Sequence, residues 1–456
     1  MTGSRGIAKV TRQMHLCAFI MATGHHVASW RMPGVPLERG TDFEYWADLA
    51  RISEEGKLDA VFLYDGAAIS NIPIEPMSHG DRATFFDPTV LLSALAVATK
   101  KIGLVATASS TYEQPYHVAR RYLSLDHLSG GRSAWNLVTG VNVREAKNFS
   151  AAPMAHADRY ERAQEFAEVV LGLWDSWADD AFVMDKEGGR FFDPEKVQAL
   201  DHAGKYFTCA GPVCVPRSPQ GRPVLVQAGG SEPGRELAAA TAEMVYSVQS
   251  DFEAGQKFYA DLKGRMAKYG REPDELKIMP GVYTIVGETE QQAQDIYGQL
   301  RDLVDESVAK ASLSVCLGGA DVWSFPFDGP VPEGLTTNAG TTHLATMIKI
   351  VRDQNLTLRQ LAMDVAAGGY GHWVLCGTPK QIADQLEERF LGHAADGYNL
   401  MPATLPGGLK DFIDLVVPEL QHRGLFRTEY AGSTLRDHLG LKRPERRVAD
   451  PPRPVL

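Results

Sequence analysis

The stretch Pro219–Gly234, PQGRPVLVQAGGSEPG, passes from an apolar run through a glycine turn into a helix start. Pro223 to Gln227 is short, apolar and rich in β-branched residues, which predicts a buried strand. Gly229 and Gly230 let the backbone approach a ligand closely, and Ser231 either caps the following helix or offers its hydroxyl to a phosphate. Pro233 suits a first helical turn, and the helix is predicted to run to about Ala240 with its positive dipole end toward the ligand. Parallel α/β proteins build anion pockets in this way. The same residues also describe an ordinary strand-to-helix turn in which Ser231 only caps, so the rest of the chain decides.

The chain has 456 residues, 44% hydrophobic and 23% charged, a composition that buries a large core. A formal net charge of -11 argues against non-specific binding to nucleic acid or to an anionic membrane. The short basic stretches Arg5–Arg12 and Lys442–Arg447 read as solvated tails. The five cysteines, Cys17, Cys209, Cys214, Cys316 and Cys376, are scattered without paired metal spacing, so reduced thiols and a cytoplasmic location are expected. No run approaches the roughly 18 apolar residues of a membrane helix.

Outward from the opening stretch, strands and helices alternate. Strands are predicted at Met14–Met21, Asp59–Tyr64, Ile102–Thr107, Ser133–Thr139, Pro223–Gln227, Met244–Val248, Lys277–Val286 and Tyr398–Met401. Helices are predicted at Phe43–Lys57 behind an Asp42 cap, Pro88–Thr99, His117–Leu128, Asp158–Trp177, Phe252–Tyr269, Thr378–Phe390 and Leu409–Arg423. The rhythm breaks at about 179–222 and 289–371, which read as insertions, the second with a helical stretch at Leu344–Val351; about 403–456 is a C-terminal extension. Eight strands alternating with helices predict an α/β fold, a single (β/α)8 TIM barrel. An open Rossmann sheet would want a glycine-rich turn after the first strand, where this chain has GHHVASW.

In a barrel the C-terminal strand ends share one mouth. The strand ends there are His25 or His26, Asp65, Thr107, Asn136 with Thr139, Ser231 and the region around Tyr283. Asp65 either accepts hydrogen bonds from a ligand or starts a turn, and Thr107 is either a ring contact or a strand residue. Asn136, between Trp135 and Leu137, needs a polar partner wherever it points inward. His156 and Tyr160 in HADRYER stand four apart on one helix face, beside a phosphate or ring edge or in a local cap. No metal set and no nucleophile elbow stands out, which fits a protein that borrows its chemistry from a phosphorylated cofactor.

The segments GHHVASWR (Gly24–Arg31), KLDAVFLYDG (Lys57–Gly66), GRSAWNLVTG (Gly131–Gly140), HADRYERAQEF (His156–Phe166), Gly211–Ala239, Gly377–Pro402 and Val416–Leu441 span nearly the whole chain. With them the chain resembles the bacterial luciferase-like flavin monooxygenases, in the group of nitrilotriacetate and dibenzothiophene-sulfone monooxygenases. The resemblance implies a luciferase-type barrel, reduced FMN delivered by a separate, transiently bound flavin reductase, O2 as co-substrate, a homodimer or homotetramer, and oxygenation of a small organic substrate through a flavin C4a-(hydro)peroxide. It also implies that Asp65, Thr107, His156, Tyr160 and Ser231 contact FMN, with Asn136 a further contact. His25 or His26, at the first strand's mouth, either assists proton transfer or is a packed or solvated histidine. Gly230 stands where many relatives carry a second serine, and Gly140–Val143 lacks the histidine that some relatives carry there. An FMN-binding barrel without oxygenase activity and a deazaflavin-dependent dehydrogenase are the alternatives. The second insertion, with Trp323, Phe325 and Phe327, is expected to bear on the substrate.

Overall fold

Two of the barrel helices show how the sequence supplies side-chain caps. Asp42 accepts from the Glu44 amide ahead of the Phe43–Glu55 helix, and Asp87 accepts from Thr89 and Val90 ahead of Pro88–Ala98. Between such helices lie short apolar strands. The computed structural model describes residues 12–447 apart from 71, 141, 250, 318 and 332–355; the expected helix at Leu344–Val351 lies outside them.

The strands are β1 (His15–Phe19), β2 (Ala60–Leu63), β3 (Gly103–Ser109), β4 (Ser133–Val138), β5 (Val224–Ala228), β6 (Met244–Ser247), β7 (Lys277–Val286), β8 (Trp373–Gly377) and β9 (Gly397–Pro402). Eight of them pair in parallel in the order β9-β1-β2-β3-β4-β5-β6-β7, and β7 closes the ring on β9. The expected TIM barrel is therefore present, because every crossover carries a helix to the outside and no strand order reverses.

β8 has no counterpart among the expected strands. The longer β7 pairs with β6 only from Lys277, opposite Met244, to Pro280, opposite Ser247, and its remaining half, Val282 to Val286, pairs with β8. β8 thus continues the wall where β6 stops. Its run Trp373–Cys376 is apolar but short and follows a Gly-Tyr-Gly turn, and three of its five residues are only half-buried. The last expected helix is also broken, into Gly407–Asp411, a wide π-type turn at Phe412–Val416, and Val417–His422; Pro418, which has no N–H to donate, stands at the break.

The region 179–222 carries a two-residue antiparallel ladder between His202–Ala203 and Thr208–Cys209. Within 289–371, the helices Glu306–Cys316 and Leu358–Ala367 share an apolar cluster with Val27 and Ala28 of the loop after β1. The C-terminal segment seals the opposite end of the barrel. Leu435, Leu439 and Leu441 pack among the inward residues Cys17, Val105, Val226 and Met279. With that end filled, the open mouth lies at the C-terminal strand ends.

Candidate functional site

Those strand ends enclose a cavity of about 290 Å³. Phe19 from β1, Phe62 from β2, Thr107 from β3, Asn136 from β4, Ala228 from β5 and Tyr246 from β6 all line it, with Asp65 from the loop after β2 and Glu145 from the short helix Val143–Asn148. Thr107 donates its hydroxyl to the Leu63 carbonyl at 2.9 Å, and Asn136 donates from Nδ2 to Thr107 Oγ1 at 2.9 Å. Asn136 is 3% exposed, and its Oδ1 has no hydrogen-bond partner among the described residues. A buried acceptor without a partner, on a residue of a cavity wall, calls for a donor that a bound group can bring.

Three carboxylates line the same wall, Asp65, Glu113 and Glu145, and among the described residues no cationic side chain does. Burial pushes the Asp65 carboxyl up to about 6, helped by the negative charges of Asp87, Glu145 and Glu113. Burial likewise raises Glu145, whose Oε1 accepts from the Ala67 amide at 3.2 Å. Glu113 is paired with Arg121. An anionic phosphate does not belong in this part of the cavity.

A better place for one adjoins it. After β5 the chain turns through Gly229 and Gly230 into the Glu232–Thr241 helix, whose cap is the Ser231 hydroxyl, 3.4 Å from the Gly234 amide. Tyr160 reaches this turn from the His156–Trp174 helix: its hydroxyl lies 3.4 Å from where a Cβ on Gly229 would stand and 3.1 Å from the same position on Gly234. A Cβ at Gly229 would make an ordinary contact with that hydroxyl, and one at Gly234 would crowd it. His156 packs on Tyr160 with ring centroids 5.0 Å apart, and its pKa is lowered by burial and then by Arg159. Gln227 is 3% exposed with Oε1 unpartnered among the described residues. Sequence reading did not single it out, although an amide inside the apolar run VLVQA is itself a signal.

The structure thus brings Asp65, Thr107 and Asn136 into one wall and sets Tyr160, His156 and Ser231 around the neighbouring turn. It does not bring His25 and His26 into the wall. His25 Nε2 lies 2.8 Å from the Phe19 carbonyl, which only accepts, so that nitrogen carries the proton, and the ring packs edge-on against Phe19 at 4.6 Å. Burial, then Arg82, holds its pKa well below the usual value. His26 accepts at Nδ1 from the Ala28 amide at 3.1 Å, and burial with Arg82 brings its pKa down to about 3. Two neutral, internally bonded imidazoles shape the loop after β1.

Residues 18–394 match the luciferase-like monooxygenases. The chain belongs to that family. It is 46% identical over 441 residues to the N-acetyl-S-(2-succino)cysteine monooxygenase of Bacillus subtilis (strain 168), covering 96% of this chain and 99% of that protein. It is also 46% identical over 449 residues to nitrilotriacetate monooxygenase component A of Aminobacter aminovorans, with 96% and 99% covered. Among solved structures, a riboflavin lyase crystallised with a modified FMN superposes with a TM-score of 0.85 at 34% identity, covering 94% of this chain and 96% of that one. This luciferase-like protein is a flavin-dependent monooxygenase, and its open acceptors and glycine turn fit the group that the family uses.

Proposed function

We propose that the chain is the oxygenase component of a two-component system, taking reduced FMN from a separate, transiently bound flavin reductase and using O2 to oxygenate a small organic substrate. The observation that carries this reading is the division of the site: a glycine turn with Ser231 and Tyr160 beside a cavity whose wall, among the described residues, holds no cation. That division matches a ligand with one phosphate end and one uncharged ring system. Reduced FMN supplies the electrons by which O2 is cleaved, one oxygen atom entering the substrate and the other leaving as water.

The chain's own residues hold and shield that chemistry. Ser231, the helix amides behind it and the Tyr160 hydroxyl receive the phosphate, with His156 supporting Tyr160. Asn136, fixed by Thr107, presents Oδ1 as an acceptor to the ring system. Asp65, whose pKa lies near neutrality, holds or yields a proton at the cavity edge. Phe19, Phe62 and Tyr246 exclude water from the inner wall. His25 and His26 hold the β1 loop rather than move a proton. The cysteines found free, Cys17 among them, suit the reducing cytoplasm. Val90 and Val97, 68% and 74% exposed on one face of the Pro88–Ala98 helix, suit burial in a homodimer or homotetramer.

Turnover of the purified protein with a flavin reductase, NADH, FMN and a panel of thioethers, amines and sulfones tests the reading, product mass being the measurement. A gain of one oxygen atom in a product, dependent on FMN and O2, is expected. FMN binding with no oxygenation across the panel would instead make the chain a flavin-binding barrel.

A further inference from the structure

Tyr246 and His372 stand 126 residues apart in sequence and 2.5 Å apart in the fold, the phenol oxygen against His372 Nε2. The Tyr246 ring is part of the cavity wall, while its hydroxyl turns toward β7 and β9, 3.5 Å from Met401 Sδ. His372 Nδ1 lies 2.5 Å from the carbonyl oxygen of Gly369. A carbonyl only accepts, so Nδ1 carries the ring proton and Nε2 accepts from the tyrosine O–H. Burial raises the Tyr246 pKa, which keeps that proton on the phenol.

The surroundings are cut to fit the pair. A Cβ at Gly281, in the middle of β7, would stand 2.8 Å from the Tyr246 oxygen, 2.8 Å from His372 Cδ2 and 2.9 Å from Met401 Sδ. Glycine in a strand interior weakens the strand, and here it marks a close approach. The Tyr246 ring meets Phe19 edge-on at 5.9 Å and Phe62 at 6.0 Å, and both line the cavity. His372 immediately precedes β8, so the same bond ties the strand outside the ring to the cavity wall.

We propose that His372 is a positioning residue of the flavin site: by fixing the Tyr246 hydroxyl, it holds that ring with Phe19 and Phe62 as the apolar floor on which the flavin ring system seats. This rests on the flavin-dependent reading above. Without its partner the phenol would turn its polar end toward the cavity or lose its hydrogen bond inside the barrel, and either change disturbs the floor.

Titration of oxidised FMN into the cofactor-free protein, followed by visible absorbance and flavin fluorescence, tests it. Tyr246→Phe and His372→Ala are each expected to raise the Kd about tenfold, roughly 1.4 kcal/mol, and to shift the bound absorption band in the same direction. The double variant should be no weaker than either single one, because both remove one bond. His372→Gln, whose amide oxygen accepts from Tyr246, should restore affinity and band position. Wild-type affinity and spectrum in both single variants, or losses that add in the double variant, would overturn the proposal. Should His372→Ala fail to fold, Tyr246→Phe, which deletes one oxygen, carries the comparison with His372→Gln. If the unaltered protein binds neither oxidised FMN nor, without oxygen, reduced FMN, the flavin reading falls and this one with it; if it binds either form and the variants do so equally, this one alone falls.

Discussion

Asn136, in the cavity wall, donates to the hydroxyl of Thr107 at 2.9 Å, and the asparagine's Oδ1 is buried with no protein partner among the described residues. The arrangement is costly without a ligand, since a buried acceptor left open forfeits about 1–3 kcal/mol. Asn136→Leu should therefore leave the thermal midpoint of the ligand-free protein unchanged or raised while weakening FMN binding about tenfold, again roughly 1.4 kcal/mol. Parallel melting curves and FMN titrations check both halves; a variant that loses stability and keeps its affinity would make Asn136 a packing residue.

Ser231 has two separable duties, capping the helix through the Gly234 amide and receiving a phosphate. Aspartate caps as well as serine but repels a phosphate. Ser231→Asp should keep the melting temperature and raise the Kd for FMN by about a hundredfold, roughly 2.7 kcal/mol. Riboflavin, which has no phosphate, should bind the variant and the unaltered protein alike. Equal effects on both ligands would place the phosphate elsewhere.

Asp65 titrates at about 6 in the folded protein against 3.8 in a free side chain. The native state takes up this proton first as pH falls, so the carboxyl favours folding below 3.8 and that contribution is lost as pH rises through 6. Asp65→Asn should accordingly raise the urea midpoint at pH 8 and leave it unchanged at pH 4. The same substitution should remove an inflection near pH 6 from the pH dependence of FMN affinity.

His26 has the opposite sign. Its folded pKa of about 3 lies below the usual 6.5, so the unfolded chain binds the proton first and stability falls as pH drops from 6.5 toward 3. The slope contributed by this one group is at most about 1.4 kcal/mol per pH unit. His26→Asn, which keeps an acceptor for the Ala28 amide, should flatten the acid limb of urea midpoints measured between pH 7 and pH 4. An unchanged limb would assign acid sensitivity to other groups.

At the closed end of the barrel, Arg436 is 2% exposed and bonds Glu243 at 2.7 and 2.9 Å. Removing one partner of a buried pair leaves an uncompensated charge, at a cost of about 3–5 kcal/mol. Arg436→Met should lower stability by that order, and Glu243→Gln added to it should recover part of the loss. Chemical denaturation of the single and double variants reads this directly.

Much of the architecture was legible along the chain. The alternation of apolar runs with capped helices, from Met14 to Met401, predicts the eight-stranded ring, and the glycines with Ser231 after Val226 predict the turn at the head of its helix. Such patterns are local: period 2 along a strand, a cap one turn from its amide, a glycine at its own turn. Asp65, Thr107 and Asn136 were legible for the same reason, each standing at a predicted strand end. His25 and His26 also stand at a strand end, yet a backbone carbonyl and a backbone amide hold their rings, and burial keeps them neutral. Which way a loop side chain turns depends on what packs against it, and no spacing encodes that.

The sequence by itself determined the barrel, its order of strands and helices, and the strand, turn and helix that stand ready for a phosphate. Tertiary structure decided the rest: that β8 extends the wall beside the second half of β7, that Tyr160 reaches the turn from a helix far upstream, that Gln227 and Asn136 keep open acceptors, and that Tyr246 meets His372 over the space left by Gly281. The physical reason is one of range. Hydrophobic period and capping act between near neighbours in the chain, whereas the chemistry of this mouth arises where strand ends converge from positions more than a hundred residues apart.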